Sequence, residues 1–118
     1  MPHSAEKLLQ DILDAADAIS AFTAGKTLDV YRSDQMLRSA VERQFEIIGE
    51  ALRRLAALHP DLAAEIPEHQ RIIAFRNIIA HGYEVLEAAM VWQAVRDKLP
   101  ALRDCAATIL KRLVRPGK

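Results

Sequence analysis

Arg76, Asn77, His81 and Tyr83 crowd into one short stretch, interrupted only by Ile78-Ile79-Ala80 and Gly82. On a helix turning about 100° per residue, Asn77 and His81 share a face one turn apart, and Arg76 and Tyr83, two turns apart, stand nearly in line. An imidazole, with an ordinary pKa near ~6.5, can give and take a proton at neutral pH, worth typically ~10²- to 10⁴-fold in rate. A guanidinium stays charged and forks onto two non-bridging phosphate oxygens, which a lysine cannot reproduce geometrically. Asn77 can orient the imidazole or hydrogen-bond a substrate. These are the requirements for cleaving RNA through its own 2′-hydroxyl: a proton acceptor or donor, and a cation for the phosphorane. No metal or cofactor is called for. One copy is sparse, since a single histidine would serve as base and acid. A symmetric pair would double both groups and concentrate positive charge.

The stretch needs an element to hold it. Ile72, Phe75 and Ile79 fall at the spacing of a buried helical face, predicting an amphipathic helix over about residues 68–81 that ends or bends at Gly82. Taken alone, the same residues also fit a plainer role. A histidine before a glycine is a common helix-end residue, an arginine beside an asparagine a common solvated edge, and a tyrosine a common packing residue.

The remaining chain reads as packing for that helix. Ser4 is an expected N-cap for a first helix with Leu8, Ile12, Ala15, Ile19 and Phe22 inward, widened by Leu9, Leu13 and Ala16 and ended by Gly25. Residues 26–32 form a connection with room for a helical turn, and Asp29 or Ser33 could cap the next helix. That helix, the longest, should occupy about 33–58, its seam formed by Leu37, Val41, Phe45, Ile48, Leu52 and Leu55 and broadened by Met36, Ile47 and Ala51. Gly49 inside it costs roughly 1 kcal/mol relative to alanine, so the expected compensation is close approach by another helix. Glu46 and Glu50 lie one turn apart, either as acids near the site or as a solvated stripe pairing with Arg43, Arg53 or Arg54. His59-Pro60-Asp61 stops the helix, and 62–70 is a loop with at most a helical turn. His59 and His69 receive no role. A fourth helix is expected over about 86–98, with Val91, Val95 and Leu99 inward and Trp92 partly covered. A last one begins near Pro100 and carries Leu102, Cys105, Ala106, Ile109 and Leu113. Cys105 reads as a small buried hydrophobe, and 115–118 as a frayed tail.

Composition bounds the function classes. A chain of 118 residues, 51% hydrophobic with only four glycines, is one domain's worth of ordered helix former. The expected architecture is all-α, an up-and-down bundle of four to five helices forming one domain over 1–118 with an ordered core of about 4–114. Sixteen basic residues balance sixteen acidic ones, so RNA contact must come from a local or dimer-assembled basic patch. A lone cysteine excludes an internal disulfide, and no zinc spacing occurs. With no charged leader and no apolar run near ~18 residues, the expected location is cytoplasmic, without membrane contact.

Arg76, four residues counted from Asn77, then His81-x-Tyr83 resembles the Arg-x4-His-x-Tyr signature of the HepT-like family, small helical proteins of the HEPN superfamily. Residues 41–51, Val-Glu-Arg-Gln-Phe-Glu-Ile-Ile-Gly-Glu-Ala, are similar to the family's long second helix. The segment from Val91-Trp92 to Leu102 is similar to its closing part, so the likeness spans about 5–114. The resemblance implies the toxin of a two-gene toxin–antitoxin module, a metal-independent endoribonuclease acting on RNA, with tRNA a candidate. It implies a homodimer with Arg76, His81 and Asn77 in a composite site. It further implies a cognate partner, an MntA-like minimal nucleotidyltransferase antitoxin that attaches AMP to Tyr83. Such a group would add negative charge and bulk where RNA phosphate must sit. The competing class is a non-catalytic nucleotide- or substrate-binding subunit of a nucleotidyltransferase complex, with His81 and Arg76 as ligands. A purely structural adaptor leaves the clustering of the four residues unexplained.

Overall fold

The computed structural model describes residues 4–81 and 88–114, with the side chains of 79–81 left aside. Among the described residues there are seven helices and no strand: α1 (Ala5–Thr23), α2 (Leu28–Ser33), α3 (Gln35–Leu58), α4 (Pro60–Ala64), α5 (His69–His81), α6 (Ala88–Asp97) and α7 (Leu99–Val114). Five of them have ten residues or more, matching the expected all-α bundle, while α2 and α4 are single short turns in the connections. No described helix is long and apolar enough to cross a membrane.

Side chains set the helix starts by satisfying backbone N–H groups that have no partner in a first turn. Ser4 Oγ accepts from Lys7 N at 3.1 Å and Thr27 Oγ1 from Val30 N at 3.2 Å. The cap of α3 is Asp34, whose Oδ1 accepts from Leu37 N at 3.0 Å, and neither Asp29 nor Ser33 fills that place. The reason is that α2 runs through Ser33, whose hydroxyl donates back to the carbonyls of Asp29 and Val30. Pro60 starts α4 as well as stopping α3, since its missing N–H costs nothing in a first turn.

α3 is the spine. It packs against α1 on one side and α5 on another, and α7 closes over α1. All six residues of the expected seam, Leu37 to Leu55, are buried. Met36 departs from expectation at 82% exposure. It shares a face with Ile47, but that face is covered further along α3 and not at its first turn. Phe22, expected inward, is exposed at the last turn of α1, whereas Trp92, expected to be partly covered, is buried. Trp92 stacks at a tilt on Tyr31, ring centroids 5.4 Å apart, pinning α2 to α6. Cys105 is half-buried, its thiol donating to the Glu65 carbonyl at 3.2 Å, and burial pushes its pKa up.

The start of α5 is fixed by Glu68, which sits in the left-handed region at φ 59°. Its carbonyl accepts from Arg71 N and Ile72 N, and its carboxylate pairs with Lys98 at 2.9 Å and Arg71 at 3.3 Å. An unfavourable backbone conformation is thus held by a tie between the first turn of α5 and the α6–α7 junction.

Candidate active site on α5

No described side chain of α5 is fully buried: Ile72, Ile73 and Phe75 are half-covered, and Asn77 and Ile78 are exposed. The helix lies on α3 through two consecutive contacts. Phe75 meets Phe45 edge-on, centroids 5.3 Å apart and planes at 84°. One turn along α3, Gly49 faces Arg76 so closely that an added Cβ would overlap the arginine Cβ and Cγ. The helix-weakening glycine is therefore explained as expected, by close approach, with the neighbour being the arginine stem itself.

That notch orients the guanidinium. Arg76 retains 27% side-chain exposure. Its Nε is buried with no partner among the described residues. Nη1 donates to Asn77 Oδ1 at 2.9 Å, and Nη2 lies 3.4 Å from Glu50 Oε1. Asn77 thus touches Arg76, a contact that the sequence reading, which linked it to the imidazole or to substrate, did not foresee. Glu50 makes the pairs expected of a solvated stripe and one contact beyond them. It pairs within α3 to Arg53 at 2.7 Å and Arg54 at 2.9 Å, and it reaches across to Arg76. Glu46 stays with Arg43 at 3.3 Å.

Hydrogen bonds from Arg53 foremost, with Arg54 and the charge of Arg76 adding to them, hold the Glu50 carboxyl down at about 2. It is a fixed anion at any physiological pH. One carboxylate here faces three guanidiniums, while Asp11 and Glu46 close by bring the lining of the adjoining cleft to three carboxylates against three arginines. The signal in the sequence was Glu50-x2-Arg53-Arg54 one turn on, but its link to Arg76 needed the α3–α5 packing.

Beside this cluster, between α1, α3 and α5, lies a cleft of about 210 Å³ whose charged lining is Asp11, Glu46 and Glu50 with Arg43, Arg54 and Arg76. At ~30 Å³ per water, it has room for a phosphate-sized polar group and not for an enclosed nucleotide. A larger groove of about 500 Å³ lies on the other side of α5, floored by Ile72, Phe75 and Leu102. Of its charged groups, Arg71 and Lys98 both pair with Glu68 while Asp97 lines it as well, and Arg76 is not part of it. No group of three or more metal-ligating side chains occurs among the described residues.

His81 closes α5, placed by its backbone five residues after Arg76. Its side chain and the whole of Gly82 and Tyr83 lie outside the described residues, as do 115–118. The contact of Asn77 with Arg76 is therefore described, and the alignment expected between Arg76 and Tyr83 falls beyond it.

The family model for Ribonuclease HepT-like matches residues 12–109. A Methanocaldococcus jannaschii protein named as a candidate RNase is 30% identical over 80% of this chain and 86% of its own length. The Thermococcus cleftensis protein named probable ribonuclease HepT is 29% identical over 87% of this chain and 93% of its own. A longer M. jannaschii relative, named as a γ-glutamylcyclotransferase and candidate RNase, is 29% identical over 89% of this chain, which spans 47% of it. No solved structure matches. With the match reaching from α1 into α7 and taking in both α3 and α5, the chain belongs to the HepT-like ribonuclease family.

Proposed function

We propose that this protein is a metal-independent endoribonuclease, the toxin of a toxin–antitoxin pair, cutting RNA at a site shared by two copies. The observation that carries the reading is the Arg76 guanidinium, partly exposed and held by Gly49, Glu50 and Asn77 on the helix that ends at His81. An arginine serving only as a solvated edge needs no notch in its neighbour and no buried Nε.

In this reading Arg76 binds the scissile phosphate and stabilises the phosphorane, while His81 moves the proton on and off the ribose and leaving oxygens. Asn77 steadies the arginine. The second copy supplies a second arginine and histidine, separating the base and acid roles. Activity per protomer should then fall on dilution in step with dimer dissociation followed by light scattering. Unchanged specific activity in a solution containing only monomer contradicts the shared site.

Tyr83 is proposed as the acceptor of AMP from an MntA-like nucleotidyltransferase, which silences the enzyme by placing a phosphodiester beside His81. Tyr83→Phe should keep ribonuclease activity and escape the cognate antitoxin. Adenylyl additions persisting in the intact mass of that variant refute the assignment.

A further inference from the structure

We infer that Glu50 is a positioning residue for Arg76, holding the guanidinium in the orientation that receives a phosphate; this rests on the ribonuclease reading above. Arg76 is held at its stem and at both terminal nitrogens. The stem lies in the notch of Gly49 on α3, Nη1 donates to the Asn77 amide oxygen, and Nη2 pairs with Glu50 Oε1 across 3.4 Å. A guanidinium carries five N–H groups. The Asn77 bond uses one N–H of Nη1, which leaves one N–H on Nη1 and both on Nη2 without a hydrogen bond among the described residues, enough to fork onto two phosphate oxygens.

The geometry divides the labour within the cluster. Arg53 occupies both carboxylate oxygens, Nε to Oε1 at 3.1 Å and Nη2 to Oε2 at 2.7 Å, and Arg54 Nε adds 2.9 Å to Oε2. The contact to Arg76 is the longest of the set at 3.4 Å. Glu50 therefore orients Arg76 without neutralising it, because Arg53 and Arg54 already absorb the carboxylate's charge. Gly49 and Glu50 are neighbours on α3, so one turn of that helix supplies both the notch for the stem and the anchor for the head of the same side chain.

The test compares wild type with Glu50→Gln, Glu50→Asp, Arg76→Lys and, as a control away from the site, Glu65→Gln. Cleavage of a fluorescent RNA is followed in chelator, and folding is checked by helical signal and melting. A misplacement of about 1 Å costs on the order of 10²-fold, so Glu50→Gln should lose roughly 10- to 100-fold in kcat with KM little changed. Glu50→Asp should recover part of the loss, and Glu65→Gln should match wild type. In parallel, the Arg76 Nε–H resonance, assigned by its absence in Arg76→Lys, should exchange with water faster in Glu50→Gln than in wild type.

Wild-type kcat in folded Glu50→Gln, with an unmoved Nε–H exchange rate, overturns the inference. So does the opposite outcome, tighter RNA binding with undiminished kcat, which is what a carboxylate merely competing with phosphate would give. Full activity in Arg76→Lys defeats the placing of Arg76 on the scissile phosphate instead, and no cleavage by wild type defeats the ribonuclease reading; in either case the exchange measurement still decides whether Glu50 orients the arginine.

Discussion

A methyl group at Gly49 would overlap the Cβ and Cγ of Arg76 and stand 3.5 Å from its Cα. The arginine stem thus lies across bare α3 backbone, and α5 can sit no further away without lifting Arg76 from Glu50. Gly49→Ala sets two effects against each other. Better helix propensity gains about 1 kcal/mol, while forcing apart a packed contact costs about 1–3 kcal/mol. The expected sum is a modest loss of stability in denaturant titration, accompanied by a larger loss of RNA cleavage because Arg76 is the side chain displaced. A more stable and equally active variant would show that the close approach is dispensable.

Acid should weaken the protein through its carboxylates. The Glu50 carboxyl is held at about 2, below its ordinary 4.5. Bonds to Arg112 and Lys98 likewise lower Glu65 and Glu68. A carboxyl depressed on folding binds more protons in the unfolded chain, so its contribution is complete above the ordinary value near 4.5 and is lost as pH falls toward 2. The Glu50 pairs are solvent-screened, each worth at most about 1 kcal/mol. Urea midpoints measured across that window should fall with acid, and Glu50→Gln should flatten the fall. An identical slope in the variant would remove Glu50 from the balance.

Tyr31 is fully buried, and its hydroxyl has no hydrogen-bond partner among the described residues. Burial, seconded by the nearby Glu42 charge, drives its pKa well up. An unpaired buried hydroxyl costs about 1–3 kcal/mol, so Tyr31→Phe should leave stability unchanged or raise it by about 1 kcal/mol. Removing the ring it stacks on, in Trp92→Ala, should cost about 3–5 kcal/mol. A loss above about 1 kcal/mol in Tyr31→Phe would reveal a partner for the hydroxyl.

The bundle was legible where periodicity was long. The spacing from Leu37 to Leu55 identified the buried seam of α3, and the apolar stripe from Leu8 to Ile19 that of α1. It failed at helix ends, where Met36 and Phe22 keep the rhythm but outrun their neighbours. The cap of α3 was displaced by one residue because α2 consumed Ser33. On α5, residue types single out Arg76 and Asn77 as candidates, and Gly49 in α3 announces a close contact, which the structure shows. What no spacing could supply was the identity of that contact. Glu50 lies 26 positions from Arg76 in the chain, and only the packing of α5 on α3 makes them partners.

The most direct measurement is RNA integrity in the presence of chelator, with purified wild type, Arg76→Ala and His81→Ala at equal, dimer-favouring concentration. Wild type should cleave, and each variant should lose at least ~10²-fold, the least expected from removing a proton-transfer group or a preorganised charge on the transition state. Equal decay of RNA in all three would eliminate catalysis at this site.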